Sequence, residues 1–88
     1  MELVGKIVEL TPLETGTSTK GAWSRRQMVI KTLEQDPIHV AFTAMGMRLN
    51  EAERHNVGEI VRVRFGVQSR KVNDKWFNDI ILWQISEV

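Results

Sequence analysis

Hydrophobic and polar positions alternate along most of this chain with a period of two, the spacing of strands that show one face to a core and the other to water. The cleanest run sets Val61, Val63, Phe65 and Val67 against Arg62 and Arg64. From Trp23 to Leu33 the same rhythm puts Met28 and Ile30 on one face and Trp23, Arg25, Gln27, Val29 and Lys31 on the other. A turn at Gln35-Asp36-Pro37 then leads to Ile38, Val40 and Phe42, which alternate with His39, Ala41 and Thr43 as the second arm of a hairpin. Residues 3 to 13, β-branched around Gly5, read as a first, bulged strand. Residues 76 to 85 read as the last, with Ile80, Ile81, Leu82 and Trp83 apolar on both of its sides.

Three segments break the rhythm. Glu14 to Ala22 is small, polar and glycine-containing, which predicts a mobile loop. Asn50-Glu51-Ala52-Glu53-Arg54-His55 places a capping Asn three residues before a Glu, with acids first and basic residues last, so it predicts a short helix that complements its own dipole and ends at Asn56-Val57-Gly58. Arg70 to Lys75 is a polar turn containing Asn73-Asp74. The expected fold is therefore all-β with one short helix. Five strands with the helix between strands 3 and 4 is the layout of the OB-fold, a Greek-key barrel whose loops 1–2 and 4–5 flank the face formed largely by strands 2 and 3.

With 88 residues, residues 1–88 form one domain near the small end of what folds unaided. There is no Cys, so neither a disulfide nor a thiolate metal site can add stability. No apolar run is long enough for a bilayer and the start lacks a signal-peptide pattern, which gives cytoplasm as the expected compartment. A chain this small often completes its core by self-association, so a homodimer or higher homo-oligomer is expected.

Charge changes the picture more. The net charge of +1 conceals that nine of the twelve Lys and Arg residues fall within 20–31 and 62–75, where only one of the eleven acids, Asp74, is found. In the OB layout these segments are strand 2 with its leading loop and strand 4 with the loop that follows, which border one groove. Cations beside flat aromatic rings suit a flexible polyanion with stackable bases. The candidate site is Lys20, Trp23, Arg25, Lys31, Arg62, Arg64, Arg70, Lys71, Lys75 and Trp76, with loop 14–22 closing over the strand. Arg26 points toward the end of the core, and Asp79 pairs with a nearby Arg. Phe42 and Phe65 fill the barrel. Phe77 and Trp83 are expected to be structural, in a strand with core on one face and a subunit contact on the other.

Nothing in the chain has the pattern of catalysis. His39 and His55 lack partners for metal or proton chemistry, and no Gly-Lys-Ser/Thr follows Gly16 and Gly21 to make a phosphate loop. With no nucleophile set, no paired carboxylates and no metal ligands, the expectation is a binding protein without cofactor or metal, not an enzyme.

Several stretches carry a resemblance. They are Gly16-Thr17, Gly21-Ala22-Trp23, Gln27-Met28-Val29-Ile30, Phe42 four residues before Gly46, Val57-Gly58-Glu59-Ile60-Val61, and Ser69-Arg70 through Lys75-Trp76-Phe77-Asn78-Asp79-Ile80. In these the chain resembles the bacterial single-stranded-DNA-binding proteins and a small bacterial family related to them. Primosomal replication protein N is a related single-barrel comparison, whose family implies a dimer. The resemblance implies an OB-fold that binds single-stranded DNA with little sequence preference; RNA stays open, because 2′-hydroxyl contacts are not readable in a sequence. Typical single-strand binders carry a long flexible tail with an acidic end that recruits partners, whereas this chain stops at Ile85-Ser86-Glu87-Val88, so recruitment through a tail is not expected. The alternative is an OB-fold assembly module that does not bind nucleic acid, which the two-sided apolar last strand and the small net charge favour.

Overall fold

Six strands and one helix make up the computed structural model, which describes residues 1–88. β1 (Glu2–Leu10) is antiparallel to both β3 (Gly21–Thr32) and β5 (Ile60–Val72). β4 (His39–Met45) lies against β3, and β6 (Lys75–Glu87) against β5. β4 and β6 meet in parallel at a single pair, Thr43 and Ile81. The pairings therefore run β1–β3–β4–β6–β5 and back to β1, a ring of five strands. The sixth, β2 (Glu14–Ser18), stands outside the ring as a hairpin partner of β3. The chain is mostly β with one short helix, consistent with an OB-like fold.

Two expectations about connections are corrected here. Residues 14–18 are a strand rather than part of a mobile loop, pairing from Glu14 opposite Arg25 to Ser18 opposite Gly21. The sheet thus has six strands, and the helix α1 (Met47–Glu53) lies between the fourth and fifth. The segment Arg70 to Lys75 is likewise mostly strand. Only Asn73 and Asp74 turn, with φ of 48° and 67°, the left-handed pair that a two-residue hairpin needs. β1 pairs with β5 only as far as Arg64, so beyond Phe65 the β5–β6 hairpin projects as an arm of roughly 20 Å.

Ring closure needs bent strands. Register shifts occur in β1 between Ile7 and Glu9, and between β5 and β6, where Arg64 faces Gln84 but Phe65 faces Leu82. Such bulges add local bend and twist. At Gly5 the β1 backbone passes so close to β3 that a Cβ would meet both the Ile30 side chain and the Lys31 carbonyl. Gly5→Ala should therefore lower the stability by about 1–3 kcal/mol, read from the denaturant midpoint. An unchanged midpoint would mean that β1 and β3 are not held at this spacing.

Inside the ring, Ile7, Met28, Ile30, Phe42, Val61, Val63 and Leu82 are fully buried. Phe65 meets Phe42 edge-to-face with centroids 5.0 Å apart. The helix contributes Ala52 to this core. It differs from expectation in how it is held. It starts after Gly46 (φ 58°) with no side-chain cap, and its first turn holds no acid and its last no base. Its acids instead tie it to the sheet: Glu51 accepts a hydrogen bond from the Ile85 N–H at 2.9 Å, and Glu53 pairs with Arg26 at 2.7 Å. Arg26 also donates to the Thr11 carbonyl at 2.9 Å, as its inward position on β3 requires.

After the helix, Glu59 accepts from His55 at 2.8 Å and from the Asn56 N–H at 3.0 Å. These hydrogen bonds, His55's first, hold its carboxyl below its ordinary value of 4.5. A carboxyl that binds its proton more weakly when folded stabilises the fold above pH 4.5, and that contribution is lost as the pH falls through the lowered value.

Candidate nucleic-acid interface

Because Met28 and Ile30 point into the core, strand alternation turns Trp23, Arg25, Gln27, Val29 and Lys31 outward on β3. The indole of Trp23 lies across Gly16, its partner on β2, where any Cβ would overlap the ring. Arg25 sits beside it, with its guanidinium 5.2 Å from the ring centroid and in an ion pair with Glu14 at 3.1 Å. The neighbouring pair on this face is Gln27 and Thr43.

The arm approaches this face from the other side. Arg70 lies 5.8 Å over the Phe77 ring and pairs with Asp79 at 2.9 Å, the pairing expected for that acid. One residue on, alternation places Lys71 on the arm's opposite side, 6.0 Å from the Trp76 ring, which is 67% exposed. Arg25, Gln27 and Thr43 then line one open depression together with Arg70, Asp79 and Glu14. The two basic segments meet there, each through one arginine. Lys20 stands at the tip of the β2–β3 hairpin, and Lys71, Lys75 and Trp76 at the tip of the arm.

The remaining candidates lie elsewhere. Lys31 is six residues along β3 from Arg25, about 20 Å away, between Lys6 and His39. Arg62 is on the β1 side of β5, 3.5 Å from Glu2. Arg64 lines a separate depression with Arg48, Glu51, Trp83 and Gln84. A groove bordered by the whole of the second basic segment is thus corrected to one bordered by its arm, since Arg62 and Arg64 lie where β5 pairs with β1, and only the part of β5 beyond that pairing reaches the depression. Phe77 and Trp83 are 46% and 47% exposed, and Leu82 and Ile85 supply the core face of β6. Gln27, Thr43 and Glu14 went unnoticed as groove residues. For Glu14 the only usable signal was its offset from Arg25 across the Thr19–Lys20 turn.

A family model described as Domain of unknown function (DUF3127) matches residues 2–86. The chain belongs to that family. No curated protein matches this DUF3127 chain. Among solved structures, it is similar to a small single-stranded DNA-binding protein from Streptomyces coelicolor, at 15% identity and a TM-score of 0.46, over 100% of this chain and 92% of that one. A likeness that distant carries no argument about ligand or fold.

The electrostatics of the DUF3127 depression are balanced rather than simply basic. Arg25 and Arg70 each face an acid, so a phosphate entering here displaces two exposed ion pairs, each worth about 0.2–1 kcal/mol. Replacing both acids by neutral isosteres, Glu14→Gln with Asp79→Asn, should tighten anion binding by about that amount per pair, measured as the oligonucleotide affinity at fixed salt. Weaker binding would mean that these acids position the arginines and do not compete with phosphate.

Proposed function

We propose that this DUF3127 chain binds single-stranded DNA with little sequence preference, as a non-catalytic OB-fold Greek-key barrel. The observation that supports it most is the depression where Arg25 of β3 and Arg70 of the arm converge beside Trp23. Phosphates take Arg25 and Arg70 in the depression and Lys20, Lys71 and Lys75 at the two hairpin tips. Bases stack on Trp23 and on Trp76, whose ring stands in water. Gln27 and Thr43 offer an amide and a hydroxyl between them, too little for a base code, which fits a binder that reads the backbone. The compartment is the cytoplasm, and the task is replication, repair or mobile-element maintenance. Self-association belongs to the same reading: β2 and the arm leave strand edges unpaired, surfaces on which a second copy can add.

The five phosphate contacts named here contribute about −3.5 to the slope of log affinity for oligo-dT against log salt, about 0.7 per contact. Fluorescence anisotropy of a labelled oligonucleotide measures it, with an oligo-U arm to separate RNA from DNA. The second reading, an assembly module, is favoured by the apolar outer-face group Val67, Ile81 and Trp83. A flat titration with a dimeric or larger solution mass would select it.

A further inference from the structure

We infer that the bound strand does not end at the Arg25–Arg70 depression: it crosses the β4–β6 seam onto Trp83, and Arg48 and Arg64 hold phosphates beside that ring. The inference rests on the reading above and extends the same site by a second subsite.

Contiguity comes from the pairing. Thr43, in the first depression, is the residue paired with Ile81 across the seam. Ile81 is opposite Gly66, and the Trp83 ring lies over Gly66, where any Cβ would overlap it. Thr43, Ile81 and Trp83 therefore form one line across the outer surface, leading to the depression that Trp83 shares with Arg48 and Arg64.

The chemistry matches that of the first subsite. Gly16 beds Trp23 and Gly66 beds Trp83, so each indole is laid against bare backbone; the Arg25 guanidinium lies over the Trp23 ring, and Trp83, 47% exposed, offers a ring face to a base as a stacking platform. The bulge between β5 and β6 makes this possible at Trp83. Arg64 faces Gln84 and Phe65 faces Leu82, so Trp83 is the extra residue, freed from the alternation and aimed at solvent. The charge differs in a useful way. Arg25 and Arg70 are neutralised by acids, whereas Arg48 and Arg64 make no ion pair, so a phosphate reaching them displaces nothing. Two acids lie near them and both are engaged elsewhere: Glu51 through one oxygen with the Ile85 N–H, and Glu2, opposite Arg64 on β1, with Arg62 at 3.5 Å.

Two measurements on the full chain test this, both with labelled oligo-dT of about 16 nucleotides, the upper end of the site size for one barrel. In Trp23→Phe with Trp76→Phe, Trp83 is the sole indole, and its emission should fall on titration and recover with salt. Arg48→Ala with Arg64→Ala, both exposed, should make the log–log salt slope shallower by about 1.4, two contacts at about 0.7 each. If wild-type chain binds by anisotropy while Trp83 emission stays constant, or while the slope of the arginine variant is unchanged, the second subsite is refuted and the first reading stands. If wild-type chain binds no oligonucleotide at low salt, both fall.

Discussion

Phe42→Ala should cost the fold about 3–5 kcal/mol, the largest effect expected of any single substitution in this chain. The ring is fully buried at the middle of β4, meets Phe65 edge-to-face at 5.0 Å, and has Met28 opposite it on β3. Truncation removes the transfer free energy of the ring and also leaves a void that neighbours on a closed ring of strands cannot collapse to fill. For a domain of this size about 1 kcal/mol shifts the melting temperature by about 4–8 °C, so a fall of at least about 12 °C is expected by thermal denaturation. A fall of a few degrees would mean that the ring is not the centre of the core.

Trp76→Ala should have the largest effect on binding and almost none on folding. Its indole stands at the tip of the arm, two-thirds in water, with the Lys71 ammonium 6.0 Å from the ring centroid. Losing one stacking platform weakens affinity for oligo-dT by about 1–3 kcal/mol, while an exposed surface position changes stability by about 0.5 kcal/mol or less. The informative result is the pair of numbers from one sample, affinity down with the melting temperature unchanged. Unchanged affinity would remove Trp76 from the interface, and a lowered melting temperature would make it a structural residue.

The strands facing the core were legible because burial imposes a strict alternation: Met28 and Ile30, Phe42, and Val61, Val63 and Phe65 all lie where that pattern puts them. Where no core lies beneath a strand the pattern vanishes. The arm from Gln68 to Asn78 is exposed on both faces, so its polar residues looked like a turn although only Asn73 and Asp74 make one. β2 was hidden for a related reason. Its Gly16-Thr17-Ser18 composition is that of a loop, and it pairs with the first residues of β3, ahead of the core positions Met28 and Ile30, where Gly16 serves to bed Trp23. The helix was displaced toward its own apparent cap, because Glu51 and Glu53 answer to Ile85 and Arg26 rather than to the helix dipole.

The candidate site was legible to the same degree. Clustering along the sequence identified the basic segments, and Arg25 and Arg70 do line one depression. Linear clustering could not reveal that β5 divides its cations between the arm and the β1 side, nor that Glu14 sits among them, whereas the pairing of Asp79 with an Arg was legible. Which face of the last strand is buried was not legible, because a bulge, which no alternation rule reports, sets Trp83 outside the core beside Leu82.

The most direct test of the central claim is the salt dependence of oligo-dT binding by Arg25→Ala with Arg70→Ala, compared with the unaltered chain. If a strand is held between these two residues, the double variant's log–log slope is shallower by about 1.4, and its affinity is lower at low salt. Identical slopes and affinities for the two chains would contradict the account.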